Sequence, residues 1–240
     1  MKIKVCKDYA ELSRCAADEV VAQLTAKPDS VLGLCTGSTP EGTYACLAED
    51  FAAGRVSFAQ ATSYNLDEYY PLAADHEQSY HYFMNYHLFS RVDMPADRHF
   101  VPNGEATDSA EECKRYEAAV AAAGYADLQL LGIGVNGHIG FNEPDSFLVA
   151  DTHETALTES TLQANARFFD DPADVPTRAL TMGVGTIMKA HRIILLASGK
   201  GKHAAIKALL DDKVTTACPA TLLKLHPNVL IICDEEAYNG

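Results

Sequence analysis

Five short runs in this chain read as buried strands, several of them apolar on consecutive residues, and helical patterns separate them. SVLGLC (30–35), ATSYNL (61–66), LQLLGIG (128–134), RIILLAS (192–198) and NVLIIC (228–233) are the runs. A strand that is apolar on consecutive rather than alternate positions must have both faces covered. YAELSRCAADEVVAQL, TPEGTYACLAEDF, SAEECKRYEAAVAAA and GKHAAIKALL carry the helical period between them. The alternation predicts an α/β fold: a doubly wound, mostly parallel, Rossmann-like sheet flanked by helices. Its 240 residues, 48% of them apolar, suit a single domain over 1–240 with one core. No repeat, low-complexity tract or linker interrupts it. One stretch breaks the pattern. Residues 147–176 are polar, include FFDDPADVP and show no clear strand. They are expected to form a lid, roughly 147–180, or an excursion packed at the surface.

Charge narrows the partners. A formal net charge of −14 argues against nucleic acid and anionic membranes. An anionic ligand would have to be held by a few local cations and backbone N–H groups. The opening MKIKVCKDYAELSRC is charged throughout, and no apolar run reaches membrane-spanning length. The seven cysteines are odd in number and form no C-x-x-C pair, as expected of reduced thiols. Together these features predict a cytoplasmic protein with a small-molecule ligand.

LLGIGVNGHIGFNEP (130–144) contains a decoy. Gly132, Gly134 and Gly137 satisfy G-x-G-x-x-G, the dinucleotide fingerprint. That motif needs its third glycine to open a helix facing a pyrophosphate. Here Gly140 and Pro144 follow too closely for two helical turns. The glycines are better explained by a sharp loop approaching a ligand, which would deliver Asn136, His138 and Glu143 to one place. A histidine with a carboxylate five residues later and an amide two residues earlier is either solvated or oriented for proton transfer. No H-x-x-x-H, H-E-x-x-H or clustered Cys/His spacing exists, so no metal site is expected. His76, His81 and His87, around a Tyr-rich helical stretch, are expected to be packed or solvated.

Three further groups could carry chemistry. CTGSTPEG (35–42) follows a strand, with Thr39 suited to a helix N-cap, Pro40 to the first turn and Glu41 to the positive end. Thr36, Gly37, Ser38 and Thr39 form either an ordinary capped turn or an anion site. In SYNLDEYYPL, Asp67 and Glu68 close a strand; they are either a solvated acidic pair or a carboxylate held beside a substrate carbon. Arg167 falls in the expected lid. Lys200 and Lys202 of SGKGKH open a helix, where lysine opposes the dipole unless an anion is shared. GKGK lacks P-loop spacing, so a nucleoside triphosphate has no evident seat.

LCTGSTPEGTY, NLDEYYPL, SYHYFM, LGIGVNGHIGFNEP, NARFF, ALTMGVGTIM and LLKLHP, in order along nearly the whole chain, resemble the glucosamine-6-phosphate deaminase family. The resemblance implies a hydrolytic deaminase of amino-sugar catabolism that needs no cofactor. Such an enzyme converts glucosamine 6-phosphate and water to fructose 6-phosphate and ammonia, by coupled aldose–ketose isomerisation and deamination. It implies that Asp67 shuttles a proton between C2 and C1 of the open-chain sugar. His138 would open the pyranose ring, supported by Glu143 and Asn136. Thr36, Gly37, Ser38, Thr39, Arg167 and Lys202 would hold the phosphate.

Two departures matter. Some relatives carry aspartate at the position of Asn136; asparagine can orient the imidazole but shares no negative charge with it. Allosterically activated hexameric relatives bind N-acetylglucosamine 6-phosphate through basic residues after Asn-Glu-Pro and through a longer C-terminus. Here SFLVADTHETALT follows, with His153 and Thr155 at the corresponding positions, and the sequence ends at Gly240. No such activation is expected, and the chain should be a monomer or small homo-oligomer. Two rivals remain at this level. 6-Phosphogluconolactonases share the fold and a G-x-G-x-D-G-H loop, but continue it with A-S-L-F-P rather than GFNEP and need no counterpart of NLDEY. A non-catalytic sugar-phosphate sensor domain uses the same scaffold, yet no helix-turn-helix precedes it here.

Overall fold

The computed structural model describes residues 1–158, 162 and 175–240. Its strands are β1 (Lys2–Cys6), β2 (Val31–Leu34), β3 (Thr62–Asn65), β4 (Asp67–Tyr70), β5 (His99–Phe100), β6 (Leu128–Gly132), β7 (His153–Ala156), β8 (Arg178–Thr181), β9 (Ile193–Ala197) and β10 (Val229–Asp234). Its helices are α1 (Tyr9–Ala26), α2 (Ser38–Ala52), α3 (Tyr80–His87), α4 (Ser109–Ala122), α5 (Val184–Met188), α6 (His203–Leu210) and α7 (Glu235–Asn239). Short 3-10 turns cover Phe89–Arg91, Lys200–Lys202 and Pro219–Leu225.

Seven strands form one sheet in the order β1-β10-β9-β6-β2-β3-β5, and every neighbouring pair runs parallel. The five apolar runs supply its interior strands. Leu130, Leu131, Ile194, Leu195, Leu196, Ile231 and Ile232 are buried in succession, so both faces are covered, as their patterns require. The chain steps outward from β2 to β3 and β5, returns to β6, then steps the other way to β9 and β10. The right-handed rule for crossovers puts α1, α2 and α3 on one face, and the connections after β5, which run the other way along the sheet, on the opposite face. The direction reverses between β2 and β6, and open α/β sheets bind their ligands in the crevice beyond the carboxyl ends of the strands at such a reversal.

Helix starts follow local chemistry. Asp8 accepts from Glu11 N at α1, Ser79 from Tyr82 N at α3, and Asp108 from Ala110 N and Glu111 N at α4. Each satisfies N–H groups that the first turn leaves open. α2 differs. Its N-cap is Gly37, at φ 96°, with no side-chain cap. Thr39, the expected cap, lies inside the first turn instead, because the left-handed glycine starts the helix two residues earlier than the Thr-Pro signal implies.

A second, three-stranded antiparallel sheet runs β4-β8-β7. It overturns the expectation that 147–176 holds no strand, since β7 lies within it and pairs with β8. HETA and RALT are polar enough to look like loop, and only pairing makes them strands: β8 with buried β4, and β7 with β8. The two sheets meet at Leu66, whose N–H bonds Leu34 O on β2 and whose carbonyl accepts from Met182 N just past β8. Asp67 is the next residue, so it starts β4 rather than closing β3. Most of the central part of the expected lid, including Arg167, lies outside the described residues.

Candidate active site

The loops after β2, β6 and β9 lie side by side at the crevice, because those strands are neighbours. Their sequences are the ones singled out above: Thr36–Thr39 after β2, the glycine loop after β6, and Lys200–Lys202 after β9. The latter two touch, since a Cβ on Gly201 would lie 3.9 Å from Cγ1 of Val135.

The glycine loop explains its own glycines. Gly134 N–H bonds the carbonyl of His138, and Gly137 N–H bonds the carbonyl of Gly134. The His138 imidazole folds back so closely that a Cβ on Gly134 would lie 2.4 Å from it. Gly137 has φ 84°, and its Cβ would strike Sγ of Cys218 at 2.2 Å. At Gly132 nothing lies within 4 Å of a Cβ. Two of the three decoy glycines thus shape a histidine loop, and no helix follows them. The loop brings together the three residues predicted to meet. Asn136 Nδ2 donates to Glu143 Oε2 at 2.6 Å, and Asn136 Oδ1 accepts from His138 N at 3.2 Å. Nδ1 of His138 lies 3.2 Å from the same Glu143 oxygen, at ion-pair distance without the alignment of a hydrogen bond.

The continuation, Ile139 to Asn142, is latched to the small sheet. Phe141 N donates to Thr181 Oγ1 at 3.1 Å, and Asn142 Nδ2 donates to the carbonyls of Ile139 and Met182, each at 2.9 Å. Thr181 is the cross-strand partner of Asp67. The latch therefore sets Gly140, at φ 57°, over the carboxylate: a Cβ there would sit 3.5 Å from Oδ2 of Asp67. Sequence reasoning gave Thr181 and Asn142 no role. Their polarity is legible, but their meeting depends on a strand pairing between residues more than a hundred positions apart in the chain.

Asp67 and Glu68 are not a solvated pair. They are 6% and 1% exposed. Burial pushes the Asp67 carboxyl up to about 8, with the Glu68 charge adding to the effect. Glu68 is pushed up to about 7 by burial, against three backbone N–H groups that favour its charge. Those donors are Tyr69 N at 2.9 Å, Tyr80 N at 2.8 Å and His81 N at 2.9 Å. Tyr80, at the start of α3, lies against Tyr69 and Phe141 with ring centroids 4.9 and 6.0 Å away. Burial holds its hydroxyl well above the usual tyrosine value.

On the other side of the glycine loop, Gly199 turns at φ 86° and is fixed by Asp234, which accepts from Gly199 N and Ser198 Oγ. Lys202 follows, half-buried. Burial alone holds its ammonium below the usual lysine value, and among the described residues no carboxylate pairs with it. A partly desolvated cation without a counter-ion, in a chain of net charge −14, is a seat for an anion. The first turn of α2, also left without a side-chain cap, offers N–H groups at the same end of the sheet. His76 and His81 are exposed, and His87 is half-buried against Phe83 and Tyr86. Among the described residues no group of three or more His, Cys, Asp or Glu side chains could hold a metal ion, and no helix is long and apolar enough to cross a membrane.

An α/β crevice with an anion seat, a buried carboxylate and an oriented histidine defines a class of sugar-phosphate enzyme. The chain belongs to the family of glucosamine-6-phosphate isomerases and 6-phosphogluconolactonases, whose pattern matches residues 7–231. It is 50% identical over 237 residues to the glucosamine-6-phosphate deaminase of Thermoanaerobacter pseudethanolicus, covering 99% of this chain and 94% of that one. It is 48% identical to that of Bacillus velezensis over the full length of both. A solved structure described as a monomeric glucosamine-6-phosphate deaminase superposes with TM-score 0.97 at 47% identity, covering 100% of this chain and 99% of the other. The 6-phosphogluconolactonase of Trypanosoma brucei superposes with TM-score 0.79 at 23% identity, which is a likeness of fold.

Proposed function

We propose that this chain is a glucosamine-6-phosphate deaminase, converting glucosamine 6-phosphate and water to fructose 6-phosphate and ammonia. The observation that carries the reading is the placement of the buried Asp67 carboxyl against Gly140, in the same loop that assembles Asn136, His138 and Glu143.

The substrate phosphate is held by the N–H and hydroxyl groups of Thr36, Gly37, Ser38 and Thr39 and by Lys202, with Arg167 as a further cation by family resemblance. Binding at this end, remote from the reacting carbons, supplies positioning energy. His138 moves a proton between the anomeric hydroxyl and the ring oxygen to open the pyranose, with Asn136 and Glu143 orienting its imidazole. Asp67 then removes the proton from C2 and returns one to C1. The C2–N bond becomes an imine, water adds at C2, and ammonia leaves. A carboxyl whose proton affinity lies near neutrality suits this exchange, because it must both accept and return the proton. Burial supplies that affinity here. The chain acts as a cytoplasmic monomer without a cofactor. Support for the monomer comes from the likeness to a structure described as monomeric.

Ammonia and fructose 6-phosphate, measured together on glucosamine 6-phosphate, test the assignment. The two should appear in equal amounts with the wild type, and the rate should fall by at least about a thousandfold with Asp67→Asn. Lactone hydrolysis without amine release would support a lactonase instead.

A further inference from the structure

Glu68 has no part in the reaction as just described, yet it is among the most buried charged groups in the chain, at 1% exposure. It neighbours Asp67 on β4, where alternation sends the two side chains to opposite sides. Asp67 faces Gly140, while Glu68 reaches the N-terminus of α3, where it accepts from Tyr80 N and His81 N, and accepts a third bond from Tyr69 N on its own strand. A carboxylate so placed is an anion stabilised by fixed donors and by the helix dipole. Among the described residues Asp67 has no such donors.

The geometry points to Glu68 as a positioning residue of the proton shuttle: a buried anion clamped on α3, it makes its neighbour the carboxyl that holds a proton, and it fixes Tyr80 beside the site. This rests on the reading of Asp67 as the base. Two carboxyls on adjacent residues in one buried region resist ionising together, so the better-solvated one ionises first. Glu68, with its three donors, is that one. The other titratable groups facing Asp67 are Cys35 at the end of β2, Tyr44 on α2, Tyr69 on β4, Tyr80 on α3 and Tyr116 on α4. All five are held above their ordinary values by burial, so they stay neutral through the working range. Among the described residues Glu68 is the charge left to act on Asp67. Through α3 it also anchors Tyr80, whose ring lies against Tyr69 and Phe141.

Carboxyl-carbon NMR of the full-length enzyme, with kcat/KM profiles over pH, tests this on wild type, Glu68→Gln and Asp67→Asn. In the wild type the Glu68 carboxyl should titrate at lower pH than Asp67. In Glu68→Gln, without the like charge, the Asp67 midpoint and the acid limb of kcat/KM should both move down by about one pH unit. A purely structural role for Glu68 would lower the rate without moving the midpoint. The inference is overturned if Asp67 titrates first in the wild type, a measurement that needs no altered Glu68. It is equally overturned if Glu68→Gln leaves the limb in place. Should Asp67→Asn retain full turnover, the reading of the base fails instead, whatever Glu68 does.

Discussion

At Gly134 the absence of a side chain is itself functional, because the imidazole of His138 occupies the space a Cβ would need. Gly134→Ala should force the histidine off Glu143 and lower kcat at least tenfold, while overpacking costs about 1–3 kcal/mol of stability. Steady-state kinetics beside a denaturant titration check this; full activity in the alanine variant would show that the ring position is immaterial. Asp67 carries a different cost. Its carboxyl, near 3.8 when unfolded, is pushed up to about 8 in the fold. The native state then binds the proton more tightly. Its contribution to stability is complete below about pH 4 and is lost as pH rises through 8. Asp67→Asn removes that loss, so its Tm should exceed the wild type's at pH 8 and match it near pH 4. A Tm difference that stays flat with pH would contradict the buried-acid account. None of this is visible in the letters DE, which read equally well as a wet loop; burial is conferred by α3 and β8, far away in sequence. The cluster of Asn136, His138 and Glu143 was legible, because all three sit in one glycine-bounded loop.

Among the elements, those that read most plainly are the ones whose burial is written into every residue. β9 is apolar throughout, β6 and β10 are apolar but for Gln129 and Asp234, and all three lie inside the parallel sheet, so local pattern and tertiary environment agree. β1, at the sheet edge, is different. KIKVC alternates lysine with apolar residues and leaves Ile3 and Val5 exposed, with charges that discourage edge pairing. β4, β7 and β8 had no sequence signal. DEYY is buried on all four residues although its first two are acidic, and HETA is mostly half-buried. Their strand character comes from one another. The consequence is mechanical: β8 holds the turn that faces Asp67, through Thr181. Thr181→Val keeps the shape but leaves Phe141 N–H without its acceptor, at a cost of about 1–3 kcal/mol. The turn should loosen, with kcat falling more than KM rises. Unchanged kcat in a folded Thr181→Val enzyme would remove the latch from the account.

On the scale of the whole molecule, one sheet places three sets of groups at one end: the Thr36–Thr39 turn and Lys202 after β2 and β9, a histidine loop after β6, and an acid at the junction of the two sheets. The reversal of strand order beside β6 creates the crevice, as for other open α/β sheets. The stretch SFLVADTHETALT, with His153 and Thr155 and no Arg or Lys, leads us to expect no activation by an amino-sugar phosphate. Saturation by glucosamine 6-phosphate should therefore be hyperbolic, and N-acetylglucosamine 6-phosphate should leave the half-saturation point unmoved; sigmoidal curves relieved by that ester would contradict this. Everything else depends on whether Asp67 moves the proton. Glucosamine 6-phosphate deuterated at C2 measures this directly, with the label followed into fructose 6-phosphate and solvent. In the wild type, part of the deuterium should reappear at C1 and the rest in water, while Asp67→Asn should leave C2 labelled. Label leaving C2 at the wild-type rate in the asparagine variant would show that another group is the base.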